Sequence, residues 1–433
     1  MEELAAKSEI ERYVQTDMMM TSKTPPVLAP TRAARLRMVC LASAAAVLFG
    51  GPVRSAPSLD ESSVASLTPF VTATVSYQDN VFRKAESEPT LAGRDELITL
   101  AGGGLAFDLP ISRQRLQAHV RAEHADYSSY PDLNHNPLSA DASWGWAVGD
   151  WVWGAVEARY IYSLSNFEEL DEIIKDMQTA RDVEASAVFQ LIPSIQLAVD
   201  GATGSTKKSV RSFLDRQESR FSGELRWLVG SFTYVGVRQR MVESDYLEPR
   251  INVDESLRNS DFTTTASEFV WAWEGETKSK FTGAIGATNK DFSEPESQFP
   301  DFNGLTYDAA LWWRMTARVS IQGLARRMLR TRDDTSGDSV QQLVRIQPVW
   351  EVAERLSLRC GWSQEEDEFP KTQGREGVQE RKDDTTRLSA GASYEPIEKL
   401  VLSLSAAHEV RDSTIPANDF VANLYSFGVE LEF

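Results

Sequence analysis

One feature narrows the folds open to this chain more than any other. Polar and apolar residues alternate in segments of roughly ten to fourteen residues, repeated from Leu67 to Phe433. Leu356, Leu358, Cys360 and Trp362 share one parity, and Ser357, Arg359, Gly361 and Ser363 take the other. Phe221, Gly223, Leu225 and Trp227 alternate with Ser222, Glu224 and Arg226. Phe269, Trp271 and Trp273 alternate with Glu268, Val270 and Ala272. Successive side chains of a strand point to opposite faces, so each segment predicts a strand with one apolar face. Eighteen strands are expected, at 67–77, 97–108, 115–127, 138–149, 151–163, 178–191, 194–206, 216–229, 231–243, 260–274, 279–291, 304–315, 317–330, 339–352, 355–366, 384–395, 399–410 and 420–433.

The connections alternate as well. Tight ones fall at 109–114, 149–150, 192–193, 230–231, 275–278, 316–317, 353–354 and 396–398. Long, acidic or Pro/Asn-rich ones fall at 78–96, 128–137, 164–177, 207–215, 244–259, 292–303, 331–338, 367–383 and 411–419. Short turns at one end and long loops at the other are the signature of a transmembrane antiparallel β-barrel of the outer membrane of a Gram-negative bacterium. A sandwich or propeller mixes its loop lengths and does not need an apolar face on every strand. No run of 18 apolar residues exists, so helical membrane spans are excluded. The expected fold is therefore an all-β barrel of about 18 strands, with both ends on the periplasmic side.

Ahead of the barrel, Arg32, Arg35 and Arg37 precede an apolar run at 38–50 and then the small-residue stretch GPVRSAPS. That order is the order of a secretory signal peptide, with cleavage after Ser55. Residues 1–55 are read as N-terminal extension and signal, 56–66 as a short periplasmic lead-in, and 67–433 as the barrel. Met18, Met19 or Met20 is an alternative start. Cys40 lacks the Leu–small–small triplet of a lipidation site. The mature chain then keeps Cys360 alone.

The last strand ends on Phe433, with Tyr425, Phe427, Val429 and Leu431 at its parity. A terminal aromatic with apolar residues at every second position back is similar to the strand read by the barrel-assembly machinery. Tyr425, Phe427, Val429, Leu431 and Phe433 are the expected assembly signal.

Lys and Arg number 45 against 64 Asp and Glu, a net charge of −19, which argues against nucleic acid as a partner. Four histidines and two cysteines leave little room for a metal site or a disulfide scaffold. No serine nucleophile motif accompanies His119, His124, His135 or His408, so no catalysis and no cofactor is expected. In a barrel the polar parity faces the lumen. Arg121, Glu157, Arg159, Arg226, Arg238, Asp308, Trp312, Arg314, Arg326, Arg345, Arg359 and Arg387 are the expected pore-lining and substrate-binding residues. Glu123, Glu184, Asp200, Glu224, Arg240, Glu268 and Lys280 share that face. Trp151 and Trp153 are further lumen candidates, although Trp144, Trp146, Trp151 and Trp153 also suit an interfacial girdle. Arg314, Arg326, Arg345, Arg359 and Arg387 fall on strands twelve to sixteen. They predict an electropositive stripe, while acids such as Glu365 to Glu368 collect in the loops. The other reading is that these arginines pair with Asp308, Glu224 or further wall acids. Calcium on Glu365-Glu366-Asp367-Glu368 or Asp333-Asp334 ranks below a solvated charge run.

Two stretches carry a family resemblance. Tyr77-Gln78-Asp79-Asn80-Val81-Phe82-Arg83 follows the first strand, and Asp108-Leu109-Pro110-Ile111-Ser112-Arg113-Gln114-Arg115-Leu116 spans the next turn. This pair resembles the EpsL-like outer-membrane proteins of exopolysaccharide operons, within the wider "putative β-barrel porin 2" grouping. The resemblance implies a channel or anchor for exopolysaccharide export. A general or substrate-selective diffusion porin and a structural or adhesive barrel stand as alternatives. The expected partners are outer-membrane lipid, the barrel-assembly machinery, polysaccharide or small polar solutes, and periplasmic export proteins. Asp79-Asn80 also reads more simply as a pair of turn-forming residues at a strand end.

Overall fold

A computed structural model of the chain describes residues 65–433, apart from 87–93, 168–172, 231–232, 249, 252–256, 259, 276–278, 294–300, 332–337 and 370–380. The signal-like segment, residues 56–64 of the lead-in, and Asp333-Asp334 lie outside the described residues.

A two-stranded pair, Arg250–Ile251 with Leu257–Arg258, stands apart, and eighteen strands make up the main sheet of the described residues. They are β1 (Ser66–Gln78), β2 (Glu96–Ile111), β3 (Gln114–Tyr127), β4 (Leu138–Val148), β5 (Val152–Leu164), β6 (Met177–Ile192), β7 (Ile195–Lys208), β8 (Arg216–Leu228) and β9 (Tyr234–Tyr246). Then come β10 (Phe262–Gly275), β11 (Ser279–Phe292), β12 (Phe302–Arg314), β13 (Val319–Thr331), β14 (Asp338–Ala353), β15 (Leu356–Glu368), β16 (Lys382–Ile397), β17 (Leu400–Ser413) and β18 (Phe420–Glu432). Each pairs antiparallel with its chain neighbours. β1 also pairs with β18, Phe70 opposite Glu432 and Gln78 opposite Leu424, so the sheet closes on itself. Closure leaves no unpaired strand edge, which is the condition for a sheet to cross a bilayer. The tight hairpins lie at one end, where Ser112 (φ 52°), Gly149 (φ 57°) and Lys399 (φ 75°) take left-handed conformations.

Exposed apolar side chains mark the outward parity on strands around the barrel. Leu67, Val71, Val75 and Tyr77 on β1 face outward and are exposed, as are Phe221, Leu225 and Trp227 on β8, Phe269 and Trp273 on β10, and Tyr425 and Phe427 on β18. In water such a belt would cost about 25 cal/mol per Å² of apolar surface. Hydrocarbon removes that cost, so the outer face is built for lipid. Trp144 and Trp146 point outward near the hairpin end, as a girdle requires. Trp151 is in the turn before β5 and is exposed, whereas Trp153 is buried on the inward face.

Glu365 and Asp367 are not loop residues. β15 runs to Glu368, two residues beyond the expected end, and carries both onto the inward face. There Glu365 meets Arg330 at 3.0 Å, and Asp367 accepts a hydrogen bond from Ser339 at 2.9 Å. Cross-strand partners, rather than solvent, stabilise this acidic run.

Glycines 102 to 104 let β1, β2 and β3 approach closely. Gly104 lies opposite both Phe70 and Arg121. A Cβ there would run into the Val120 carbonyl oxygen and stand 2.5 Å from Phe70 Cζ.

Candidate functional site: the barrel lumen

The inward parity is polar, and the cross-strand register determines which charges meet. Glu224 accepts a hydrogen bond from Arg226 Nε at 2.6 Å and stands 3.6 Å from Arg238. Arg238 Nε donates to Glu268 Oε2 at 2.7 Å, and Arg240 donates to Glu268 Oε1 at 3.0 Å. Arg226 also lies over the Tyr234 ring, 4.9 Å from its centroid. Two strands beyond Glu268, Asp308 on β12 accepts a hydrogen bond at 3.0 Å from Arg326 Nε on β13. On the opposite side of the chain order, Arg121 pairs with Glu123 at 2.9 Å, and Thr72 donates to that same carboxylate. Glu157 and Arg159 follow one another inward on β5, Arg159 across from Asp141 and Asp182. His119 stacks on Phe70, ring centroids 5.0 Å apart, and lies 3.7 Å from Asp141.

All twelve expected lining residues lie on inward parity, but they form several groups rather than one site. Arg226 and Arg238 belong to the ion-pair band of β8–β10, Asp308 and Arg326 form a separate pair, and Arg121, Glu157 and Arg159 lie on other strands. Trp312 and Arg314 meet each other at the hairpin end, the guanidinium 5.2 Å from the ring centroid. Two of the five arginines of the stripe are matched by a wall acid. Arg326 is held by Asp308 and Arg387 by Glu409, the latter at 3.1 Å. Arg345 and Arg387 lie in one register row, with Ser363 between them. Arg359 lies opposite Val349 and Gly391, and its buried Nε has no hydrogen-bond acceptor among the described residues.

The lining differs by sector. On β8–β10 and β12–β13 the inward residues include long, paired side chains. On β15–β18 they include Gly361, Ser363, Ser389, Gly391, Ser403, Ser405, Ser426 and Gly428. Short side chains leave room where long ones fill it.

The long-loop end is not simply open. The first loop carries Asp79, Asn80, Val81, Phe82 and Arg83. Asp79 accepts hydrogen bonds from the Asn423 backbone N–H and Nδ2, both at 2.6 Å. Asn80 Nδ2 donates to the carbonyls of Val421 (3.0 Å) and Lys84 (2.9 Å). Phe82 is fully buried and meets Tyr130 and Phe167 edge-on at 4.9 and 5.0 Å. Arg83 reaches Glu409 at 3.6 Å. Phe82, Arg83 and Glu409 were not among the expected site residues. A Phe inside a polar loop was the available signal. Nearby loops are tied down too. The Asp176 carboxyl is buried, which would raise its pKa. The Val210 N–H and the Arg211 guanidinium nevertheless hold it below the usual carboxylate range. Burial pushes His135 below the ordinary imidazole value. Lys290 Nζ bonds Asp338 and lies 3.3 Å from the centre of the Phe262 ring, linking β11 to β14 at the rim.

Residues 215–433 match the family model described as "Putative beta-barrel porin 2". Among solved structures the barrel is similar to OccAB3 of Acinetobacter baumannii, with 10% identity over 85% of this chain and 99% of that chain and a TM-score of 0.48. It is similar to OpdK of Pseudomonas aeruginosa, with 8% identity, the same coverage and a TM-score of 0.47. It is also similar to a BenF-like porin from Pseudomonas fluorescens Pf-5, with 9% identity, 85% and 99% coverage and a TM-score of 0.47. No curated protein matches the chain.

Proposed function

Because the chain belongs to the family described as "Putative beta-barrel porin 2", and is an outer-membrane β-barrel of a Gram-negative bacterium rather than an enzyme, we propose that it is a passive diffusion channel for small polar solutes. The observation that carries this reading is the uneven lining of the lumen. Serine and glycine on β15–β18 leave space for water in a barrel of a size that admits it, while paired charges occupy β8–β10. Arg359 lies on the inward face of that sector, and Arg345 lies on the adjoining strand, opposite Ser363. Guanidinium groups beside hydroxyls suit small anionic or hydroxylated solutes.

Polysaccharide export is the weaker reading. Its sequence support was the Tyr77-to-Arg83 and Asp108-to-Leu116 stretches, and residues of the first have structural duties. Asp79 and Asn80 bond β18 at Asn423 and Val421, and Phe82 packs against the neighbouring loops. The stretch therefore accounts for a loop conformation without a polymer.

Planar-bilayer recording of the purified protein tests the proposal. Stepwise, ohmic conductance is expected, with permeation of sugars and organic acids falling as their size rises. Changing Arg345 and Arg359 together to Gln should lower anion preference, read as a shift in reversal potential, while the folded fraction stays unchanged. A deletion strain should lose small-solute uptake and keep its surface polysaccharide. Loss of polysaccharide with normal solute uptake would reverse the ranking.

The same proposal includes maturation and assembly. Residues 1–55 are removed on export, and 56–66 lead into the barrel. The barrel-assembly machinery reads Tyr425, Phe427, Val429, Leu431 and Phe433. Phe433 is exposed, and its N–H donates to the Pro69 carbonyl at 2.9 Å, so its ring adds little to the finished wall. Phe433→Ala should lower the yield of heat-modifiable barrel in cells several-fold and leave the unfolding midpoint of purified protein unchanged. Equal yields would remove the signal.

A further inference from the structure

We infer that the hook formed by Asp79 to Arg83 is the constriction of the pore, and that Arg83 is the residue that determines its ion selectivity. The inference rests on the channel reading above and assigns it a specific place.

The chain leaves the top of β1 and turns back inward. Asp79 N–H donates to the Asn423 carbonyl at 3.1 Å, and its carboxylate takes two hydrogen bonds back from Asn423. Asn80 then closes a tight turn. Its Oδ1 accepts from Lys84 N–H at 3.2 Å, and its carbonyl accepts from Arg83 N–H at 3.2 Å. Arg83 takes φ +50°, a left-handed conformation that is uncommon outside glycine, and local hydrogen bonds hold it there. The direction of the turn is thus set on both sides.

What lies beneath the hook is unusual for a water-filled barrel. Ile98 and Leu100 on β2, with Ala125 and Tyr127 on β3, are inward-facing and buried. Val81, Phe82 and Ala85 of the hook are buried as well. Apolar side chains on a lumen wall would be unfavourable facing water. Both sets of apolar side chains are withdrawn from water. The bonds of Asp79 and Asn80 to β18 make the loop a fixed part of the wall.

The tip carries the charge. The Arg83 side chain is only 3% exposed, and its Nη2 stands 3.6 Å from Glu409 Oε2. That same oxygen accepts from Arg387 Nη1 at 3.1 Å. Glu409 lies four residues below the end of β17, or about 13 Å down the strand at 3.3 Å per residue. Gln78, Arg83, Arg387, Ala407, Glu409, Ala422, Asn423 and Leu424 enclose one shared recess. Two guanidiniums thus share one carboxylate at the mouth, in a chain of net charge −19. Focused between low-dielectric walls, guanidinium charge favours anions. Removing Arg83 leaves Arg387 and Glu409 as a neutral pair and opens space at the same point.

Reconstitution with wild type, Arg83→Ala, Arg83→Lys and Glu409→Gln separates the possibilities. Arg83→Ala should raise single-channel conductance by roughly 1.5-fold or more and move the reversal potential toward cation preference. Arg83→Lys should keep the wild-type reversal potential, because the charge remains. Glu409→Gln should strengthen anion preference. If Arg83→Ala conducts with the wild-type amplitude and reversal potential, the hook is not the constriction. An independent arm uses Ala85→Cys with the lipid-facing Cys360 changed to Ser. A membrane-impermeant thiol reagent added to intact cells should leave Cys at position 85 unlabelled, and adding Asn80→Ala should expose it. Ready labelling without Asn80→Ala overturns the packed hook. A wild-type protein that folds but does not conduct overturns the channel reading, and labelling still decides whether the hook is packed.

Discussion

Glu268→Ala is expected to lower the unfolding free energy of the barrel by about 3–5 kcal/mol, the range for breaking a buried pair by removing one partner. Glu268 is the centre of the β8–β10 band. One oxygen takes Arg238 Nε at 2.7 Å and the other takes Arg240 Nη2 at 3.0 Å, and the Glu268 and Arg238 side chains are each about 5% exposed. Alanine removes the carboxylate that two neighbouring guanidiniums share, and Arg238 keeps Glu224 at 3.6 Å. Glu268→Gln keeps one acceptor oxygen and should fall between alanine and wild type. Urea titration of the folded barrel in detergent, followed by tryptophan fluorescence, measures all three. An alanine variant within about 0.5 kcal/mol of wild type would mean that water screens the band as it screens surface pairs.

The strands were readable because a two-residue period depends on which face is apolar and on no particular partner. All eighteen lie within three residues of their expected places. Inward placement was readable for the same reason, so Arg121, Asp308 and Arg359 could each be assigned a face from parity alone. Pairing was not readable. Whether Arg326 meets Asp308 or Glu224 depends on the register that a series of turns accumulates, and a shift of two residues preserves parity while exchanging every partner. The arginine stripe therefore looked continuous in sequence, yet Arg326 and Arg387 are each matched by a wall acid. Glu365 to Glu368 misled differently. Four acids in a row read as a solvated loop, but their own alternation continues the strand, and Arg330 and Ser339 are contributed by other strands. The hook needed a further step. Ile98 and Leu100 sit on the polar parity of β2, a local break in the pattern, and both are buried. Such breaks mark places where another segment covers the wall.

Gly104→Leu is expected to reduce the folded fraction about tenfold or more, at the upper end of what overpacking costs. The first obstacle is backbone. The new Cβ would meet the carbonyl oxygen of Val120 on β3, which cannot retreat without opening the β2–β3 ladder. The second is Phe70, whose ring stands 2.5 Å from the new atom and is stacked on His119 with an interplanar angle of 5°. Turning that ring away would break the stack. Any relaxation must therefore move β1 or β3. Gly223→Ala provides the matched control, because nothing stands within 4 Å of a Cβ there. It should leave stability within about 0.5 kcal/mol, as substitutions at sites free of special contacts usually do. Heat-modifiable mobility after refolding into detergent reads both variants on one gel. If Gly104→Leu folds as well as Gly223→Ala, the close approach of the first three strands is not required, and the curvature of that sector must come from elsewhere.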